Sequence, residues 1–187
     1  MPQFVLDTSG KARVGATKNF PNGVTINWND LDAFTQGYIE ALFFTENSPA
    51  FTSDEWHGEE CQAALEAGTS DGSLPGDAGF ADLHETALAT IVEECAAFQR
   101  ENADLLAQAY GHNFPARVIG DGTLPDSHRP AWDYDEAAAG RDFWYTRNGH
   151  GVGFWDRGLG EVGDKLSDAC RYSEVYVSFE ADGKVHL

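Results

Sequence analysis

The stretch FADLHETALATIVEECAAFQRENADLLAQAYG, residues 80–111, decides how the rest of the chain is read. Phe80, Leu83, Ala87, Ile91, Cys95, Phe98, Leu105 and Ala109 recur at helical spacing and form one apolar face, interrupted by the polar Asn102. Gly111 stands where a helix end takes a glycine. The spacing predicts a helix of about 30 residues, roughly 45 Å long, with room for a bend at Asn102. An apolar stripe of that length must be covered by other elements, so the chain is expected to fold around it.

Working outward, Leu31, Phe34, Tyr38 and Leu42 repeat the helical spacing, broadened by Ile39 and Phe43. Asn29 or Asp30 is placed to cap this helix over 31–46, and Asn47-Ser48-Pro49 ends it. A second, short helix is expected after Thr52-Ser53, with Asp54 and Glu55 at its N-terminus. Residues 68–79 are a polar, glycine-rich loop, and short strands are expected at 3–6 and 24–28. Loop signals fill 112–132. Beyond them the pattern predicts a helix over 134–147, a strand over 152–155, a helix over 159–172, and a hairpin of 175–179 with 184–187 across Ala181-Asp182-Gly183. Helices and short strands without a regular βαβ rhythm indicate an α+β fold. With 187 residues, 42% of them hydrophobic, a single domain is expected: an acidic helical part to 111, a connection over 112–133 and an aromatic, glycine-rich part over 134–187.

Charge narrows the function classes. There are 31 acidic and 12 basic residues, a formal net charge of −19, and no lysine or arginine lies between Lys18 and Arg100. Such a chain repels phosphate backbones and anionic lipid and attracts basic surfaces, so direct binding to duplex DNA and to membranes is disfavoured. No run reaches the roughly 20 apolar residues of a membrane span, and the start has no basic segment followed by an apolar one, so a cytoplasmic location is expected. Cys61, Cys95 and Cys170 are far apart and form no paired motif, which fits neither a disulfide framework nor a zinc site. No cofactor is expected.

Three constellations could carry chemistry. In GRDFWYTRNGHGVGFWDRG, residues 140–158, glycines flank His150, while Asp156 and Arg157 stand ready as catalytic partners and Arg141, Arg147 and Arg157 as anion binders. The bland reading is tight turns around core aromatics, and no nucleophile in a recognisable elbow accompanies the histidine. In DEWHGEEC, residues 54–61, carboxylates and an imidazole lie within reach of a cation. The alternating ligands of a calcium loop and the His-Glu-x-x-His of a zincin are both missing, so a solvated acidic helix is the better reading and no metal site is assigned. His84-Glu85 begins no such motif either, since position 88 is Leu. Trp28, Trp56, Trp132, Trp144 and Trp155 could stack bases only beside a basic groove; otherwise they are core.

LDAFTQGYIEALFFTE, residues 31–46, and the 140–158 block with its continuation Leu159-Gly160 resemble small, mostly uncharacterised acidic proteins of bacteriophages and conjugative elements. The resemblance implies a mobile-element origin and a life in the host cytoplasm, and it supplies no catalytic residues. Small acidic proteins of such elements include inhibitors of host restriction, CRISPR or repair enzymes that imitate nucleic-acid charge. The expectation is therefore a non-catalytic acidic protein that occupies the basic, nucleic-acid-binding cleft of a host enzyme. Its partner-binding carboxylates would be Asp54, Glu55, Glu59, Glu60, Asp82, Glu85, Glu93 and Glu94. The alternatives are a small enzyme acting on an anionic or nucleotide-like substrate through His150, and a single-strand-binding replication accessory.

Overall fold

Asp32 sets the start of the first helix. Its Oδ1 accepts the Thr35 amide at 2.8 Å and its Oδ2 accepts the Thr35 hydroxyl at 2.9 Å, so α1 runs Ala33–Glu46. Asn29 and Asp30, the caps expected from the sequence, instead belong to a 3-10 turn, Trp28–Asp30. Asn27 Oδ1 accepts from the Asn29 amide at 2.9 Å, and Asp30 Oδ2 accepts from the Asn27 amide at 3.2 Å. The physical reason is Trp28, buried edge-on against Phe80 with ring centroids 5.4 Å apart. The chain turns once to seat that indole before the helix begins.

The computed structural model describes residues 17–19, 25–48, 63, 74–118, 128–129 and 131–187. The strand expected at 3–6 and the short helix expected after Thr52-Ser53 lie outside them. The fold is α+β. Its strands come as separate two-stranded pieces: β1 (Thr17–Asn19) with β2 (Thr25–Asn27), β5 (Asn113–Phe114) with β8 (Trp132–Asp133), β6 (Arg117–Val118) with β7 (His128–Arg129), and β9 (Ser178–Phe179) with β10 (Val185–His186), all antiparallel. A parallel pair joins β3 (Asn47–Ser48) to β4 (Leu74–Pro75).

The long periodic segment is helical but divided. Phe80–Asp82 forms a 3-10 turn, Leu83 pairs with Val185, and α2 begins later, at Glu85–Glu101. At Asn102 the backbone leaves the helical region (φ −115°, ψ 22°), and both its amide and its side-chain NH2 donate to the Phe98 carbonyl at 3.0 Å. α3 (Ala103–Ala109) follows with a turned face, so Leu106 rather than Leu105 is fully buried.

α1 is more enclosed than α2. Phe34, Thr35, Gly37, Tyr38, Ile39, Ala41, Leu42 and Phe43 are all buried, which leaves almost no polar face. Its main partner is α4 (Glu136–Arg147). The two backbones meet at glycines: a Cβ on Gly37 would overlap the Ala137 carbonyl, and one on Gly140 would overlap the Phe34 carbonyl. Phe98 of α2 stacks on Phe143 of α4 at 4.1 Å and joins Phe34 and Phe154 in one aromatic core.

Past α4 the chain departs from expectation again. The strand expected at 152–155 is a 3-10 turn, Phe154–Asp156, entered through Gly153 at φ +154°. α5 spans Glu161–Ala169, and the hairpin β9–β10 pairs Phe179 with Val185 as the sequence implied.

Candidate functional site

The 140–158 block forms the second half of α4 and the turn behind it. Because α4 packs on α1 through Gly140, the side chains that follow are carried into the protein rather than outward. Arg141 and Arg147, and Arg157 from the following turn, were candidates for holding an anion. Each is already paired.

Arg141 Nη1 lies 3.1 Å from Glu40 Oε2 of α1. Arg147 Nη1 donates to Glu94 Oε2 of α2 at 2.7 Å and to the Tyr38 hydroxyl at 3.0 Å, and its Nε donates to Ser173 O at 2.5 Å. The same guanidinium sits over the Phe143 ring, 4.9 Å from its centroid. Burial pushes the Tyr38 phenol well above its ordinary range, with Arg147 pulling the other way. Arg157 grips Asp142 from two nitrogens, Nη2 to Oδ1 at 2.7 Å and Nε to Oδ2 at 3.0 Å, while the Tyr134 hydroxyl donates to Oδ2 at 2.8 Å. Asp142 is 1% exposed. Its burial raises the carboxyl above the usual range, opposed by Arg157 and Tyr134.

Asp156 and Arg157 stay together, with Arg157 Nε 3.8 Å from Asp156 Oδ1, while His150 faces a different carboxylate, Glu46. Asp156 Oδ1 accepts the Gly153 amide at 3.0 Å and closes its own turn. Arg157 serves Asp142. His150 is half-buried near the Trp144 and Tyr145 rings, with Nε2 3.2 Å from Glu46 Oε1. That distance suits an ion pair, but the approach angle falls short of a hydrogen bond and leaves Nε2 otherwise unmatched. The Trp144 indole N–H donates to Thr45 Oγ1, which lies 2.8 Å from the same Glu46 oxygen. Glu46, the actual companion of His150, was missed from the sequence because 104 residues separate the two and no spacing rule links them.

The expected partner-binding carboxylates also separate. Asp54, Glu55, Glu59 and Glu60 lie outside the described residues. Asp82 is buried and does not project outward as expected, since its Oδ2 accepts the Gly79 amide at 2.9 Å. Glu94 is held by Arg147, Glu85 is half-buried, and Glu93 is exposed. A different acidic grouping takes shape around Tyr110. Burial first, then the charges of Glu136, Asp32 and Asp135, push its phenol up to about 12. These three carboxylates come from the starts of α1 and α4, and all three are exposed.

Of the tryptophans offered as a stacking platform, Trp28 and Trp144 are buried, Trp132 stacks on Phe114 at 4.3 Å, Trp56 lies outside the described residues, and Trp155 is 55% exposed. The arginines that would flank such a platform are committed elsewhere. An open pocket of about 290 Å³ lies between the end of α4 and α5, lined in part by Arg147, Asn148, Ser167, Cys170, Arg171 and Glu174. Among the described residues, one group has the composition and spacing to hold a metal ion: His84, Asp182 and His186. No helix among the described residues is long and apolar enough to cross a membrane. Comparison with protein-family models, curated proteins and solved structures finds no match.

Proposed function

We propose that the protein is a non-catalytic acidic binding protein of a mobile element, whose partner is a host enzyme with a basic, nucleic-acid-binding cleft. The observation that carries this reading is the disposition of the cations. Arg100, Arg141, Arg147, Arg157, Lys165 and Arg171 each stand 2.7 to 3.8 Å from a carboxylate of this same chain. Six of the twelve basic residues thus stand beside carboxylates of the same chain, against a net charge of −19. A surface of that kind is steered toward basic clefts and away from phosphates. The exposed Asp32, Asp135 and Glu136 around Tyr110, with Glu93 on α2, are the described carboxylates best placed to contribute.

The test is capture from a bacterial lysate with the full chain as bait, at low and moderate salt, followed by elution with duplex DNA. The expected result is a nucleic-acid enzyme that is retained at low salt, released by DNA, and inhibited by the protein in its own assay. Capture that DNA fails to displace, or a displaced enzyme whose activity is untouched, overturns the reading. Charge reversal at Glu93 and Glu136, neither of which has a capping role, is expected to weaken capture by about tenfold or more, since close interfacial charge pairs are worth about 1.5 kcal/mol or more each.

A further inference from the structure

Three side chains outside the 140–158 block meet where β10 docks on the start of α2. The backbone joins first: Leu83 pairs with Val185 in a parallel bridge, and the His84 amide donates to the Val185 carbonyl at 2.8 Å. This sets His84, the capping residue of α2, beside His186, with rings stacked 4.4 Å apart and 22° between their planes. Asp182, in the turn of the hairpin, places Oδ2 3.0 Å from His186 Nε2. One donor atom from each of the three lies within 4.8 Å of the others.

Each donor is already aimed. Asp182 Oδ1 accepts the Lys184 amide at 3.0 Å, which leaves Oδ2 for His186. His84 Nδ1 is 2.8 Å from Thr86 Oγ1 and accepts the Thr86 amide at 3.2 Å, which leaves Nε2 as its free donor. Asp182 is exposed and the two histidines are half-buried, so the group is open to solvent on one side.

The geometry points to a divalent-cation site formed by His84, Asp182 and His186, suited to zinc or a first-row ion of similar softness. Two imidazole nitrogens and one carboxylate are the donors such ions take, whereas magnesium and calcium prefer oxygen throughout. Around a tetrahedral ion with ligands at about 2.0–2.1 Å, donors stand roughly 3.3 Å apart. The Asp182–His186 pair already meets that separation, and a ring nitrogen of His84 lies within 4.8 Å of both. Three protein ligands leave a further position to water.

Binding exchanges one histidine tautomer for another. With the ion on Nε2, Nδ1 of His84 carries the proton and donates it to Thr86 Oγ1 instead of accepting the Thr86 amide, and the hydroxyl becomes the kind of outer partner that orients metal-bound histidines. The ion ties the β9–β10 hairpin to the start of α2, two parts of the chain that are remote in sequence. It acts as a staple, independent of the partner-binding role.

The experiment uses the full chain, stripped with EDTA and dialysed, titrated calorimetrically with zinc chloride, with magnesium chloride as the control. Expected is one saturable zinc per chain, a melting temperature raised by roughly 5–10 °C at free zinc one hundred times Kd, and no comparable response to magnesium. His84→Asn keeps a good helix cap and loses the imidazole. It is expected to keep the melting temperature of the metal-free protein and to bind zinc more than about 100-fold more weakly, beyond what loss of an outer partner costs. His186→Gln is expected to bind zinc as weakly. No saturable zinc binding in the wild type, or binding undiminished in both variants, overturns the site.

Discussion

Arg157 and Asp142 form the most enclosed ion pair described, and its worth lies in what each partner prevents. Removing one half leaves the other buried and uncompensated, which costs about 3–5 kcal/mol, whereas removing both together costs much less. Arg157→Met is therefore expected to lower stability by about that amount in chemical denaturation, and Asp142→Asn in the same chain is expected to restore part of it. The Tyr134 hydroxyl at 2.8 Å gives the substituted amide a remaining partner. A second residue-scale outcome concerns Cys170, whose thiol burial pushes up to about 12. Below about 8.5 the thiol is protonated in both the folded and unfolded chain. Above that, the unfolded chain loses the proton first, so stability is expected to fall as pH rises from about 8.5 through 12. Denaturant midpoints at pH 8 and pH 10 check the slope, and Cys170→Ala is expected to flatten it in part. At this scale the sequence identified His150 and the arginines as unusual but could not show their partners. Glu40, Glu46 and Glu94 lie far away along the chain, and only tertiary packing brings them in.

Two kinds of glycine separate at the scale of elements. Gly37 and Gly140 sit at the crossing of α1 and α4, where an added methyl meets a backbone carbonyl that cannot move aside. Gly37→Ala or Gly140→Ala is expected to cost about 3 kcal/mol or more, at the upper end for overpacking, despite the better helix propensity of alanine. Gly149 has open space around it but a φ of +68°. Gly149→Ala is expected to cost only about 1–2 kcal/mol, from backbone strain alone. Thermal melts of the three variants rank them. The apolar periodicity of 31–46 and 80–111 made both helices legible, because a buried stripe leaves a periodic signature. Their exact starts were not legible. Trp28 and Leu83 are drawn into tertiary contacts that consume residues a cap rule would have assigned to the helix. The expected strand at 152–155 failed for a related reason: apolar Val152 and Phe154 alternate as in a strand, but the Thr146 hydroxyl accepts the Phe154 amide and the chain turns instead.

For the whole molecule the question is whether salt helps or harms. The pairs of Arg147 and Arg157, each with one member nearly buried, are screened less than the repulsion among surface carboxylates. Raising sodium chloride from 0.01 M to 1 M shortens the screening length from about 30 Å to about 3 Å. The melting temperature is expected to rise over that range; a fall would mean that exposed ion pairs outweigh the repulsion of a −19 chain. The charge was fully legible in the sequence, but its arrangement was not: Asp82 closes a turn and Glu94 pairs with Arg147, while Glu93 stays exposed.

The union of α1 with α4 also governs how the molecule comes into being. Its contacts join residues about a hundred positions apart: Thr45 with Trp144, Glu40 with Arg141, Tyr38 with Arg147. A chain growing on the ribosome therefore presents Phe34, Tyr38, Ile39 and Leu42 without their main cover until residue 147 has emerged. At about 5–20 residues per second that wait lasts some seconds, far longer than a helix needs to form. During it, an apolar helix stands without its main cover, and rapid synthesis or a holding chaperone would limit aggregation of the nascent chain.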